Sequence, residues 1–198
     1  MFGQVGVARA TVDEIAERAG VSKGTIYLYF PNKEELFRQS IREALESKSP
    51  RPATAVNAPS TSQLYDTLAR YWHFLSSPMA LVVNRLVQSE QWQFPELTGL
   101  YATGVLTPLE EELEEIIGKG IRNGDFREMD PRVAARMLTA VTVQSANRAA
   151  GGTLAVAGKS GDEVFGEITE FCLQAMVPAD AAFAQADGAP ALRGALNN

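Results

Sequence analysis

The stretch Thr11–Phe30, TVDEIAERAGVSKGTIYLYF, constrains this chain more than any other. Thr11 and Glu14 form a T-x-x-E pair, a capping box in which each side chain meets a backbone N–H at a helix start. Val12, Ile15, Ala16 and Ala19 recur at helical spacing, with Asp13, Glu14, Glu17 and Arg18 pointing away. Gly20 stands where a left-handed C-cap ends the helix, and Val21 is expected to turn inward. Ser22 is a good N-cap for a second helix, Lys23 to about Phe30. Two short helices joined by so tight a turn predict a helix-turn-helix.

The second helix has an odd surface. Exposed helical positions favour Ala, Glu and Lys, yet Gly24, Thr25, Tyr27 and Tyr29 surround two core-facing residues, Ile26 and Phe30. In a DNA-binding unit of this kind the second helix enters the major groove, and its first N–H groups meet a phosphate with the help of the helix dipole. Ser22, Lys23 and the backbone at Gly24 are then candidate phosphate or groove-edge contacts. Thr25 and Tyr27 are candidates for base edges or phosphates, and Lys33 for a clamp on the DNA backbone. On spacing alone, a small helical corner with exposed tyrosines remains the alternative.

Charge is distributed in keeping with a DNA reader on an acidic body. The net charge is −6, but residues 1–51 carry eight Lys/Arg against seven Asp/Glu, and the remainder ten against seventeen. No apolar run approaches the ~18 residues that span a bilayer, and no signal peptide opens the chain. Cys172 is the single cysteine and His73 the single histidine, which excludes an internal disulfide framework, argues against a structural zinc site, and suits the reducing cytoplasm. Neither a phosphate loop, a nucleophile elbow nor a His/Cys/carboxylate cluster is present, so no enzyme, catalytic residue, cofactor or metal is expected.

The rest of the chain reads as helices. Residues 1–10 are short and irregular, with Gly3 and Gly6 interrupting any helix. Pro31 stops the second helix; Asn32 and Glu35 suggest another capping box, followed by a helix to about Ser47 with Leu36, Phe37, Ile41 and Leu45 inward. Residues 48–60 read as a linker. Beyond it, Leu64, Leu68, Tyr71, Trp72 and Leu75 mark one amphipathic helix, and Leu81, Val82, Leu86 and Val87 the next. A long pattern from Leu97 to Ile121 follows, in which Pro108 should kink or restart the helix with Thr107 as cap, while the acids of Glu110–Glu115 form a solvated face. Asp130-Pro131 opens a helix to about Ala150 with Val133, Met137, Leu138, Val141 and Ser145 inward. The last helix, Asp162 to about Met176, carries Val164, Phe165, Ile168, Phe171, Cys172 and Ala175. With no strand signal, the fold class is all-α. The division is a helix-turn-helix unit at 1–47, a helical bundle at 61–178 and a poorly ordered tail at 179–198.

From Thr11 to Leu36 the pattern T-x-x-x-I-A-x-x-A-G-V-S-x-G-T-x-Y-x-Y-F-x-x-K-x-x-L closely resembles the DNA-binding domain of the TetR family of bacterial transcriptional regulators. The later FPEL, GDF, DP and AA at 94–97, 124–126, 130–131 and 134–135 look like a C-terminal domain common in that family. The resemblance implies an all-α homodimer, most often a repressor, whose head binds double-stranded operator DNA and whose body binds a small effector. Carried over residue by residue, it assigns operator contacts to Thr11, Ser22, Lys23, Gly24, Thr25, Tyr27, Tyr29 and Lys33. The helices at 131–150 and 162–177 are the candidates for dimer contacts, as a four-helix bundle about a twofold axis.

For the effector, expected to be largely apolar, Trp72, His73, Asn84, Trp92, Tyr101, Gln144 and Asn147 lie on helices that would surround the body's interior. Core packing or surface exposure is the competing explanation for each. One departure stands out. Family members open with a full helix under the reader, whereas only its end is visible here, around Phe2–Gly6. That shortfall raises an alternative, a helical ligand-binding dimer with impaired DNA binding, in which Ile15, Ile26 and Phe30 would lie open to water.

Overall fold

The computed structural model describes residues 1–50, 58–154, 156 and 158–178. Most of the expected linker and all of the expected tail, 179–198, lie outside the described residues. Within them the regular structure is entirely helical. The head comprises α1 (Phe2–Arg9), α2 (Val12–Ala19), α3 (Lys23–Tyr29) and α4 (Lys33–Lys48). The body comprises α5 (Ser60–Leu75), α6 (Pro78–Glu90), α7 (Glu96–Tyr101), a π turn (Ala102–Leu106), α8 (Thr107–Asn123), α9 (Pro131–Ala150) and α10 (Gly161–Met176).

Caps explain where these helices begin and end. Thr11 and Glu14 make the full capping box, Gly20 closes α2 in the left-handed region at φ +67°, and the Ser22 side chain accepts the Thr25 N–H. Asn32 caps α4 by accepting the Glu35 N–H, but Glu35 makes an ion pair with Arg38. Asp130 and Pro131 open α9, and Ser160 with Glu163 makes a further capping box at α10.

Two apolar clusters result. A small one, Val12, Ala16, Ile26 and Leu36, braces the helix-turn-helix, with Phe2, Ile15 and Phe30 packed against it. The larger runs from Val7, Phe37, Ile41 and Leu45 through Leu64, Leu68, Tyr71, Leu97, Leu109, Leu113 and Ile117. α4 therefore contributes to the same core as the body. At the joint, Phe37 stacks edge-on between Phe2 and Phe94, with ring centres 5.1 and 5.3 Å apart. Arg38 pairs there with Glu96 at 2.6 Å.

Several sequence expectations need correction. Residues 2–9 are helical, with the break confined to Gly6 at φ +78°, and the freed Val7 N–H donates to the Glu90 carboxylate of α6 at 3.4 Å. Because α1 places Phe2 under the reader, Ile26 is only 7% exposed, and Ile15 and Phe30 are half-buried. Val21 is exposed, the turn being closed by its N–H bonding to Ala16 O. Pro108 neither kinks nor restarts the chain, and Thr107 lies inside the helix; the turn before it widens so that the Thr107 N–H reaches Ala102 O. A π turn absorbs the proline ring, which would otherwise press on the carbonyl four residues back.

On α9 the inward side is Ala135, Leu138, Thr139, Thr142, Ser145 and Ala146, while Val133, Met137 and Val141 are exposed. On α10 Phe171 is 73% exposed, Ala175 is also exposed, and Met176 is buried in their stead. Glu112 departs from the solvated face, its side chain retaining 9% exposure.

Candidate nucleic-acid interface and effector site

The geometry of α2 and α3 separates support from display. Ile26 pins α3 to the head core, whereas Tyr27, Leu28 and Tyr29 are 46%, 83% and 76% exposed. Ser22, Lys23 and Gly24 at the helix start are exposed and Thr25 is half-buried. The eight residues assigned to operator contact divide by what already holds them. Thr11 is engaged with Glu14, and Ser22 with the Thr25 N–H at 3.0 Å. Lys23 pairs with Asp13 at 2.8 Å, an exposed contact that raises the lysine pKa through hydrogen bond and charge and keeps the ammonium protonated. Half-buried Lys33 donates to Ala8 O at 3.3 Å, which ties the start of α4 to the end of α1.

Gly24 behaves differently. A Cβ built there would meet only Ser22 Oγ, at 3.6 Å, an ordinary contact. Nothing inside the chain requires glycine at that position. A glycine at the second position of an exposed helix, unneeded by the fold, leaves room for something outside it to come close.

The seven effector candidates are not brought together. Asn84 and Asn147 meet across α6 and α9, Nδ2 donating to Oδ1 at 2.6 Å. Trp72 is buried, stacks on Phe165 at 4.1 Å and donates from Nε1 to Asp162 at 2.7 Å. That stack floors a shallow groove of about 320 Å³ between α5 and α10, which exposed His73 also lines. Tyr101 is buried in the main core, and burial pushes its phenol up to about 12. Gln144 is exposed and Trp92 is 92% exposed, both away from any interior.

Sequence reasoning missed a polar knot between α5 and α8. Arg70 and Thr67 both donate to Glu112 Oε1, the threonine at 3.0 Å, and the Arg70 guanidinium lies 5.3 Å from the centre of the Tyr71 ring. Thr67 and Tyr71 were legible only as members of a buried face. Glu112 sits in a run of acids where periodicity does not say which one turns inward.

Comparison with known proteins accords with this arrangement. Residues 1–39 match the model of the bacterial regulatory proteins of the tetR family, and residues 62–155 that of the C-terminal domain of AefR-like transcriptional repressors. The uncharacterized HTH-type transcriptional regulator YdeS of Bacillus subtilis (strain 168) is 32% identical over 123 residues, 62% of this chain and 60% of its own length. The fatty acid metabolism regulator protein of the same organism is 27% identical over 143 residues, 70% of this chain and 72% of its own. Among solved structures, the flavonoid-responsive regulator FrrA superposes with a TM-score of 0.63 at 25% identity, over 90% of this chain and 92% of that one. With family models matched at both ends of the helical array, the chain belongs to the TetR family of transcriptional regulators.

Proposed function

We propose that this protein is a cytoplasmic, dimeric repressor that binds operator DNA through α3 and is released from it by a largely apolar small molecule bound in the body. The observation that carries this reading is the exposed face of α3, which is anchored from behind by Ile26 and carries a glycine the fold does not need. On that face Gly24, Thr25, Tyr27 and Tyr29 meet the groove, while Thr11, Ser22, Lys23 and Lys33 contact phosphates on either side. Lys23 exchanges Asp13 for phosphate when DNA arrives. The reading with impaired DNA binding is not favoured, since the family's DNA-binding domain is matched from residue 1 and Phe2 packs behind the reader.

Regulators of this family act as dimers and couple an effector site to the spacing of two heads. Support for a dimer face on α9 and α10 comes from the exposed Val133, Met137, Val141 and Phe171. An apolar effector is in keeping with the relatives, one named for fatty acid metabolism and another for its response to flavonoids. Effector binding then favours a head spacing that no longer fits successive major grooves. The test is a protection footprint on DNA flanking the gene, followed by gel shifts at fixed salt. Tyr27→Ala and Lys33→Ala should each weaken binding, by about tenfold for one lost contact. Unchanged affinity in both variants would remove α3 as the reading face.

A further inference from the structure

Tyr71 is the most completely buried polar side chain of the body that the fold leaves unserved. Its relative exposure is 0%, and its hydroxyl has no hydrogen-bond partner among the described residues. An unmet buried hydroxyl is destabilising, and phenylalanine would fill the same space without that penalty. The hydroxyl is therefore the one part of this side chain that packing does not use. Its surroundings restrict what can serve it. Burial pushes the phenol up to about 12, with the Glu112 charge adding and the Arg70 charge opposing, so it remains a donor. Arg70 and Thr67 already donate to Glu112 Oε1, which leaves the knot beside it balanced in charge.

An entering anion would meet Glu112 as a like charge, and an entering cation would find that carboxylate already engaged by Arg70. An uncharged oxygen meets neither difficulty. Resting on the regulator reading above, we infer that Tyr71 is the polar anchor of the effector site and donates its hydroxyl hydrogen to the carbonyl oxygen of a neutral, largely apolar ligand. Such a molecule buries its carbon skeleton against the main core and places its single acceptor on the single waiting donor.

The test uses the full chain, with Tyr71→Phe as the variant and three nine-carbon probes: 2-nonanone, γ-nonalactone and nonanoate. Binding to free protein is followed by calorimetry. The two neutral carbonyl compounds should bind wild type, bind Tyr71→Phe about tenfold more weakly, and outcompete nonanoate. Without ligand, Tyr71→Phe should melt at or above the wild-type temperature and hold operator DNA equally well. The assignment is overturned if the carbonyl probes bind both proteins alike, if nonanoate binds best, if no probe binds, or if the variant melts lower. Gel shifts keep the two readings apart. Carbonyl probes that bind through Tyr71 without releasing DNA would uphold the anchor and refute the ligand-responsive regulator.

Discussion

Gly24 shows how a residue's role can be separated from its neighbours' roles. Because a methyl group there touches only Ser22 Oγ at 3.6 Å, Gly24→Ala is expected to leave the head intact or stabilise it, by up to about 1 kcal/mol from helix propensity. The same methyl would stand in the path of the DNA backbone, so operator affinity should fall while the melting temperature does not. A variant that lost both would place Gly24 in the fold. Thr11 is the converse, since its capping box serves the head itself, and Thr11→Ala should destabilise by about 1 kcal/mol before any DNA is added. These roles were legible in the sequence because caps and turns are local chemistry. Tyr71 was not: that it is buried follows from spacing, but that its hydroxyl is unserved depends on what α8 brings beside it. Its phenol and that of Tyr101 also give a pH prediction. Both are raised from 10 to about 12, so the folded state favours their neutral forms; this contribution is intact below pH 10 and lost as pH rises from 10 towards 12. Absorbance near 295 nm should show two phenols that ionise only as alkaline unfolding begins. All five tyrosines titrating reversibly before unfolding would contradict it.

At the scale of elements, helices were legible wherever a cap and a 3.6-residue period agreed, and illegible where one helix met another. Pro108 illustrates this, for a proline within a helical pattern announces a disturbance but not that a π turn five residues long will absorb it. Gly6 likewise marks a break in α1, while the Glu90 carboxylate that receives the freed N–H lies 83 residues away. The approach of the 120s turn to α8 gives a sharp test. A Cβ on Gly120 would fall 2.2 Å from the Phe126 ring and 3.0 Å from Ser60 Cβ. Gly120→Ala must therefore displace a buried aromatic ring, and overpacking of this kind typically costs about 1–3 kcal/mol. The variant should melt several degrees lower, and shrinking the ring in the double variant Gly120→Ala/Phe126→Leu should recover part of the loss. Destabilisation that simply added in the double variant would show that the two residues do not share this contact.

The whole molecule is where the sequence misled most usefully. Val133, Met137 and Val141 follow helical spacing and read as a buried stripe, as does Phe171; in one chain they are exposed at 54%, 65%, 36% and 73%. Periodicity reports that a face is apolar and says nothing about whether its cover comes from the same chain. α9 already buries a second face against α8 and α5, through Ala135, Leu138, Thr142 and Ala146, so it is apolar on two sides. A helix with two apolar sides and one protomer's worth of cover is half of an interface, and family regulators act as dimers. Burying those four side chains in a twofold four-helix bundle also fixes the separation of the heads, which is the quantity an operator reads. Met137→Glu combined with Phe171→Glu should leave helicity unchanged while sedimentation shows a monomer. Operator affinity should drop at least tenfold with it, because one head then binds without its partner. A double variant that still sediments as a dimer and holds operator normally would place the interface elsewhere, and would leave this apolar stripe to be explained by a different partner.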